Sequence, residues 1–230
     1  MHTFVKRKQR GWVESEDLIP YKKKSTDELK SLLSSEKPFE RTISAKLLLL
    51  NCDTTNILLD ALVNESALYT RLAITEKLES GDSATAQQML PFLAKIGKNQ
   101  HHSPVSPSKK SSFPLPRDLI ARSLGRMNPE IFPTLLDAAT QLPNVKLREL
   151  IDAIGYMVFY NPCLATTKNY QLLLAIKESY KTDVLIQWKI LICFSAFPQS
   201  KELLQKETQF VSEAQRSLKI LETKKGVFQK

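Results

Sequence analysis

From residue 25 onward, apolar residues recur at three- and four-residue spacing in stretches punctuated by Pro, Asn, Asp and Gly. That spacing places the apolar side chains on one stripe of an α-helix. It predicts helices near 26–35, 38–51, 54–64, 66–79, 83–96, 117–127, 129–141, 144–160, 165–180, 183–197, 199–209 and 212–223. No stretch sustains the alternation of a half-buried strand, so the predicted class is all-α. Residues 1–24 carry no such stripe and read as an irregular basic arm; 25–223 form one domain, and 224–230 a short tail.

Several boundaries have a local cause. Ser25 followed by Glu28 has the spacing of a capping box, in which each side chain satisfies a backbone N–H at the helix start. Asp82 and Ser83 can cap the next segment, and Asn128-Pro129 places proline in a first turn, where its missing N–H costs nothing. Asn161-Pro162 stops the helix before it, because proline disfavours helical backbone in its predecessor.

The helices come in recurring pairs. Arg41, Arg71, Arg117 and Arg148 stand near the start of a pair's first helix, each followed three positions later by Ser44, Ile74, Ile120 or Ile151. Leu48, Leu78 and Leu124 follow seven positions after the first three arginines, which predicts Leu124 as a core anchor. Second helices carry Met89-Leu90-Pro91-Phe92-Leu93 and Ile131-Phe132-Pro133-Thr134-Leu135-Leu136, with Asn56-Ile57-Leu58-Leu59 as a form lacking proline. Arginine-to-arginine intervals of 30, 46 and 31 residues make the long one a repeat plus an inserted loop.

On these residues, 117–136 resembles a HEAT repeat, 71–93 a second and 41–62 a third; the pairs at 144–180 and 183–209 are more divergent. The resemblance, to the HEAT-repeat (armadillo-type) family of bacterial type, implies a right-handed α-α superhelix of about five helix pairs. It implies a curved binding surface for proteins or nucleic acids, not an activity. Bacterial alkylpurine DNA glycosylases are likewise built from HEAT-like pairs around a basic groove. The stretch Asp183-Val184-Leu185-Ile186-Gln187-Trp188-Lys189 does not match their catalytic context, so no catalytic residue carries over.

Composition sharpens this picture in three places. The chain of 230 residues is 42% hydrophobic with only six glycines, which argues against extensive disorder and glycine-dependent phosphate loops. Cys52, Cys163 and Cys193 are odd in number and lie beside apolar residues, as expected of reduced, buried thiols. With no secretory-type leader and no apolar run long enough for a bilayer, the expected location is cytoplasmic, without membrane attachment.

Thirty-three Lys and Arg face 24 Asp and Glu, a net +9. Much of the excess falls in residues 97–126, with six basic residues and one acidic. The insertion at 97–116 holds four of the twelve prolines, five serines, His101 and His102, and Lys98, Lys109 and Lys110. Long connections between repeat helices tend to be functional or mobile. The functional alternative joins Lys98, His101, His102, Lys109 and Lys110 with Arg122 and Arg126 into an anion-binding or partner-binding patch.

Arg41, Arg71, Arg117 and Arg148 read instead as a structural ladder, with Asp60, Asp118 and Asp137 as partners. Trp12, Trp188, Tyr156, Phe159 and Tyr160 offer stacking surfaces for bases, but at helical spacing they read first as core. His101-His102 lacks paired metal-ligand spacing, and no nucleotide-binding or hydrolase motif occurs, so no metal, cofactor or catalytic residue is assigned. The expected function is a non-enzymatic HEAT-repeat scaffold that binds a protein partner through its curved surface and the 97–116 loop. Nucleic-acid binding through Lys109, Lys110, Arg122 and Arg126 is the alternative. The oligomeric state is left open.

Overall fold

A computed structural model describes residues 7–227, with side chains through residue 223. The first six residues of the predicted arm and the last three of the predicted tail lie outside the described residues. The described chain is helical and contains no strand.

Twelve α-helices follow in order: α1 (Thr26–Leu32), α2 (Pro38–Leu47), α3 (Cys52–Asn64), α4 (Leu68–Glu79), α5 (Ser83–Met89), α6 (Leu119–Arg126), α7 (Phe132–Ala139), α8 (Asn144–Tyr160), α9 (Thr167–Ser179), α10 (Val184–Phe194), α11 (Lys201–Gln205) and α12 (Val211–Val227). Short 3₁₀ turns precede or extend several of them. The last helix runs past residue 223, so part of the predicted tail is helical.

Local chemistry explains most of the helix starts. At α1, Glu28 N donates to Ser25 Oγ at 3.3 Å and Ser25 N to Glu28 Oε2 at 2.8 Å, closing the capping box. Asn51 and Thr54 do the same for α3, both at 2.9 Å. Asp82, Asp118, Thr166 and Asp183 accept the third backbone N–H of α5, α6, α9 and α10. Proline shortens two expected helices. Pro91 turns the end of the 83–96 segment into a 3₁₀ turn, and Pro198 opens another before α11.

Helices two apart in the chain pack on one another: α2 on α4, α4 on α6, α6 on α8, α8 on α10, and α10 on α12. Between them, α3 packs on α5 and α5 on α7. Each helix therefore presents its apolar stripe to several neighbours, and α10, packed between α8 and α12, is buried from Leu185 through Phe194. Leu124, on α6, is fully buried among these contacts. Leu124→Ala is expected to cost about 2–5 kcal/mol in urea unfolding, the range for emptying a leucine site in a core.

The recurring arginines find partners other than the predicted ones. Arg41 grips Glu65 with two hydrogen bonds of 2.7 and 2.9 Å, and Arg71 donates to the Glu65 backbone carbonyl at 3.3 Å. Arg148 grips Asp183 at 3.2 and 2.7 Å, tying α8 to the cap of α10. Arg117 is exposed. Asp60 and Asp137 face solvent, and Asp118 is consumed as a helix cap. The carboxylates that meet the arginines sit at helix junctions, where the guanidinium reaches backbone and side chain together.

Two further expectations change. Cys52 and Cys163 are exposed because each occupies the first turn of a helix at the surface; only Cys193 is buried, and burial raises its thiol pKa. The basic arm is not wholly irregular: Glu16–Tyr21 is a 3₁₀ helix, Trp12 meets Tyr69 edge-on at 4.9 Å, and Tyr69 N donates to the Arg10 carbonyl.

Candidate functional site

The 97–116 insertion is fastened along its length. At its start, Gln100 Nε2 donates to Asp118 Oδ2 at 2.7 Å, and the same carboxylate accepts Ala94 N at 3.1 Å while its other oxygen caps α6. The buried Asp118 thus joins the two ends of the insertion to the helix that follows it. Next, His101 sets its ring edge-on against Trp188 of α10, 4.9 Å between centroids.

Further along, three consecutive-alternate carbonyls, of Ser108, Lys110 and Ser112, accept hydrogen bonds from the buried Arg216 guanidinium of α12 at 2.9, 3.4 and 3.0 Å. Glu213 holds that guanidinium from below at 3.1 Å. Phe113, 4% exposed, enters a notch over Gly155 of α8, where a Cβ would lie 2.5 Å from the phenyl ring and 3.0 Å from the Cys193 backbone. Only glycine leaves room for it.

Beside this strap lies a buried charge cluster between α8 and α10. Lys189, completely buried, places Nζ 2.9 Å from Glu149 Oε1 and 2.9 Å from Asp152 Oδ2, held by charge without hydrogen-bond alignment to either. Glu149 Oε2 and His101 Nδ1 are buried without a hydrogen-bond partner. Burial pushes the Glu149 carboxyl up to about 7, reinforced by the negative charges of Asp152 and Asp118 and opposed by Lys189. Asp152 moves the same way through burial. Lys189 is held above its ordinary value, since its two carboxylates outweigh the burial that would lower it. His101 falls to about 4, through burial and then the positive charges of Lys189, Arg117 and His102. The Glu149 carboxyl therefore exchanges its proton near neutrality, enclosed with Asp152 and Lys189 between α8 and α10.

The exposed chemistry lies on the opposite flank of the strap, where Tyr156 and Tyr160 of α8 form a ledge. Their rings are 4.7 Å apart between centroids, and Tyr160 is 51% exposed. The ledge is the shared wall of two adjoining grooves. One, of about 350 Å³, is lined by Lys110, Ser112 and Leu115 of the strap. The other, of about 480 Å³, is lined by Arg126, Asn128 and Asn161. No carboxylate lines either one. Arg122, half-buried on α6, donates from Nε to the Pro116 carbonyl at 3.0 Å and feels the charges of Arg126, Asp118 and Glu79. Arg126 is half exposed, with Glu79 3.8 Å away. Carboxylates gather instead in a groove of about 540 Å³ that adjoins the second one at Asn128 and is lined by Glu79, Asp82 and Glu130.

The structure therefore divides the residues expected to form one basic patch. Lys110 and Arg126 line the grooves at the tyrosine ledge, whereas Arg122 is half-buried, bonds the Pro116 carbonyl and lines neither. Lys98, His102 and Lys109 are exposed on the loop but line neither groove, and His101 faces inward onto Trp188. Trp188 and Phe159 are core as expected, whereas Tyr160 is not. Sequence reasoning missed Glu149, Asp152, Lys189 and Arg216. A signal existed for the first three: a lysine inside an otherwise apolar helix demands a buried counter-charge, and Glu149 and Asp152 are three apart on one face of the neighbouring helix.

Among the described residues no group of His, Cys, Asp and Glu is placed to hold a metal ion, and no helix is long and apolar enough to cross a membrane. Comparison with protein families, with characterised proteins and with solved structures finds no match for this chain.

Proposed function

We propose that the chain is a HEAT-type helical-repeat scaffold, a right-handed superhelix of about five helix pairs, that binds a negatively charged macromolecule without catalysing a reaction of its own. The recurrent arginines and the packing of alternate helices on one another support the architecture. The observation that carries the function is the strap. A basic insertion clamped by Arg216 and Phe113 holds Lys110 on one side of two tyrosines that have Arg126 on the other, a surface fixed before any partner arrives. Prior ordering of a loop lowers the entropy cost of binding through it.

Retention on immobilised heparin tests this reading. Lys110→Glu combined with Arg126→Glu is expected to elute at distinctly lower salt than the parent. Lys201→Glu combined with Lys206→Glu, the same charge change at the exposed start of α11 and just past its end, is expected to elute much closer to the parent. Equal displacement by both pairs would show that net charge alone governs retention and would overturn the assigned face.

A further inference from the structure

Resting on the scaffold reading, we infer that the anionic partner is single-stranded nucleic acid, lying across the tyrosine ledge with bases on Tyr160 and Tyr156 and phosphates on Lys110 and Arg126. Three observations converge. Two grooves meet at a pair of aromatic rings, and one of those rings is half exposed. Cations stand on both sides of the pair, Lys110 in one groove and Arg126 in the other. Carboxylates are absent from both linings; Glu79, 3.8 Å from Arg126, lies in the third groove, which adjoins the second at Asn128.

An acidic polypeptide would use the cations, but its carboxylate side chains do not stack on ring faces. A duplex buries its bases and offers the rings nothing to stack on. Unpaired bases use both, because every base has a π-face and every linkage a phosphate. The tyrosine hydroxyls and Asn128 and Asn161 add hydrogen-bonding groups along the second groove without selecting a sequence.

Fluorescence anisotropy with a labelled twenty-nucleotide oligo-dT, and with a duplex of the same length, tests the inference at two salt concentrations. The single strand is expected to bind more tightly than the duplex and to weaken steeply between about 50 and 200 mM salt. Tyr160→Ala is expected to weaken it by about five-fold or more, with Tyr160→Phe close to the parent. Because Tyr160 is exposed, both variants are expected to keep the parent's urea midpoint.

Equal affinity for duplex, or binding indifferent to Tyr160→Ala, would overturn the inference. So would oligo-dT binding that survives Lys110→Glu with Arg126→Glu. Absent oligo-dT binding together with face-dependent heparin retention would reject the nucleic acid and leave the scaffold reading standing. Loss of face dependence in both assays would reject the two together.

Discussion

Lys189→Met is expected to destabilise the protein by about 3–5 kcal/mol, the cost of leaving buried carboxylates without their counter-ion. The substitution keeps the apolar stem and removes only the ammonium, so packing changes little. What remains is Glu149 and Asp152, both enclosed between α8 and α10, with no positive charge at 2.9 Å. Each must then take up a proton to stay buried. The deficit in urea unfolding is therefore expected to be larger at pH 8 than at pH 5; a small deficit, equal at both, would show that the ammonium is not neutralising these groups.

Glu149 gives the same cluster a pH signature in the parent. Its carboxyl is raised from an ordinary 4.5 to about 7, so the folded state binds its proton more tightly than the unfolded chain does. The associated stability is complete below pH 4.5 and is lost as pH rises through 7, by up to about 3 kcal/mol. Asp152, also raised, acts in the same direction. His101 works the other way. Lowered from 6.5 to about 4, it contributes stability above pH 6.5 that is lost as pH falls through 4. The two opposing slopes overlap between pH 4.5 and 6.5. Glu149→Gln, which cannot ionise, is expected to gain on the parent as pH rises from 5 to 8, measured as the difference in urea midpoint.

Phe113→Ala is expected to cost about 3–5 kcal/mol, as for other buried aromatics, and to loosen the strap as well. The phenyl ring fills the notch over Gly155 and touches Phe159 at 5.6 Å and Tyr156 at 6.3 Å between centroids. Emptying it removes the buried aromatic anchor of the C-terminal half of the insertion. Arg216→Met attacks the same segment from the other side by withdrawing three hydrogen bonds from its carbonyls. In both variants trypsin is expected to cut after Lys109 or Lys110 faster than in the parent, read by mass spectrometry after short digestion. Exposed lysines on an ordered loop resist cleavage, because the protease needs the backbone extended and free. Unchanged cleavage in both would mean that the strap is not held by these contacts.

These anchors explain why the insertion was legible in sequence as unusual and illegible as to what it does. Proline, serine and lysine content set residues 97–116 apart from the helices on either side. The same composition suits a mobile linker, and nothing local distinguishes the two. The deciding residues, Gly155 and Arg216, lie 42 and 104–108 positions further along the chain than the loop residues they meet, within helices that look ordinary, and Glu213 supports Arg216. The basic patch divided for the same reason. Adjacent residues on a loop point different ways once the loop is tied down, so His101 turned to Trp188 while His102 stayed in solvent.

Sequence alone determined the helical class, most helix starts and the buried position of Leu124, because these depend on periodicity, side-chain caps and proline, which act within one or two turns. It also determined that arginine recurs, since repetition is visible without coordinates. Only the tertiary structure decided that Arg41 and Arg148 meet Glu65 and Asp183, that Lys189 bridges two carboxylates, and that Tyr160 remains open beside Lys110 and Arg126. Ion pairs and surface grooves arise where distant segments are brought together, and their free energy depends on burial and distance, neither of which a linear order of residues contains.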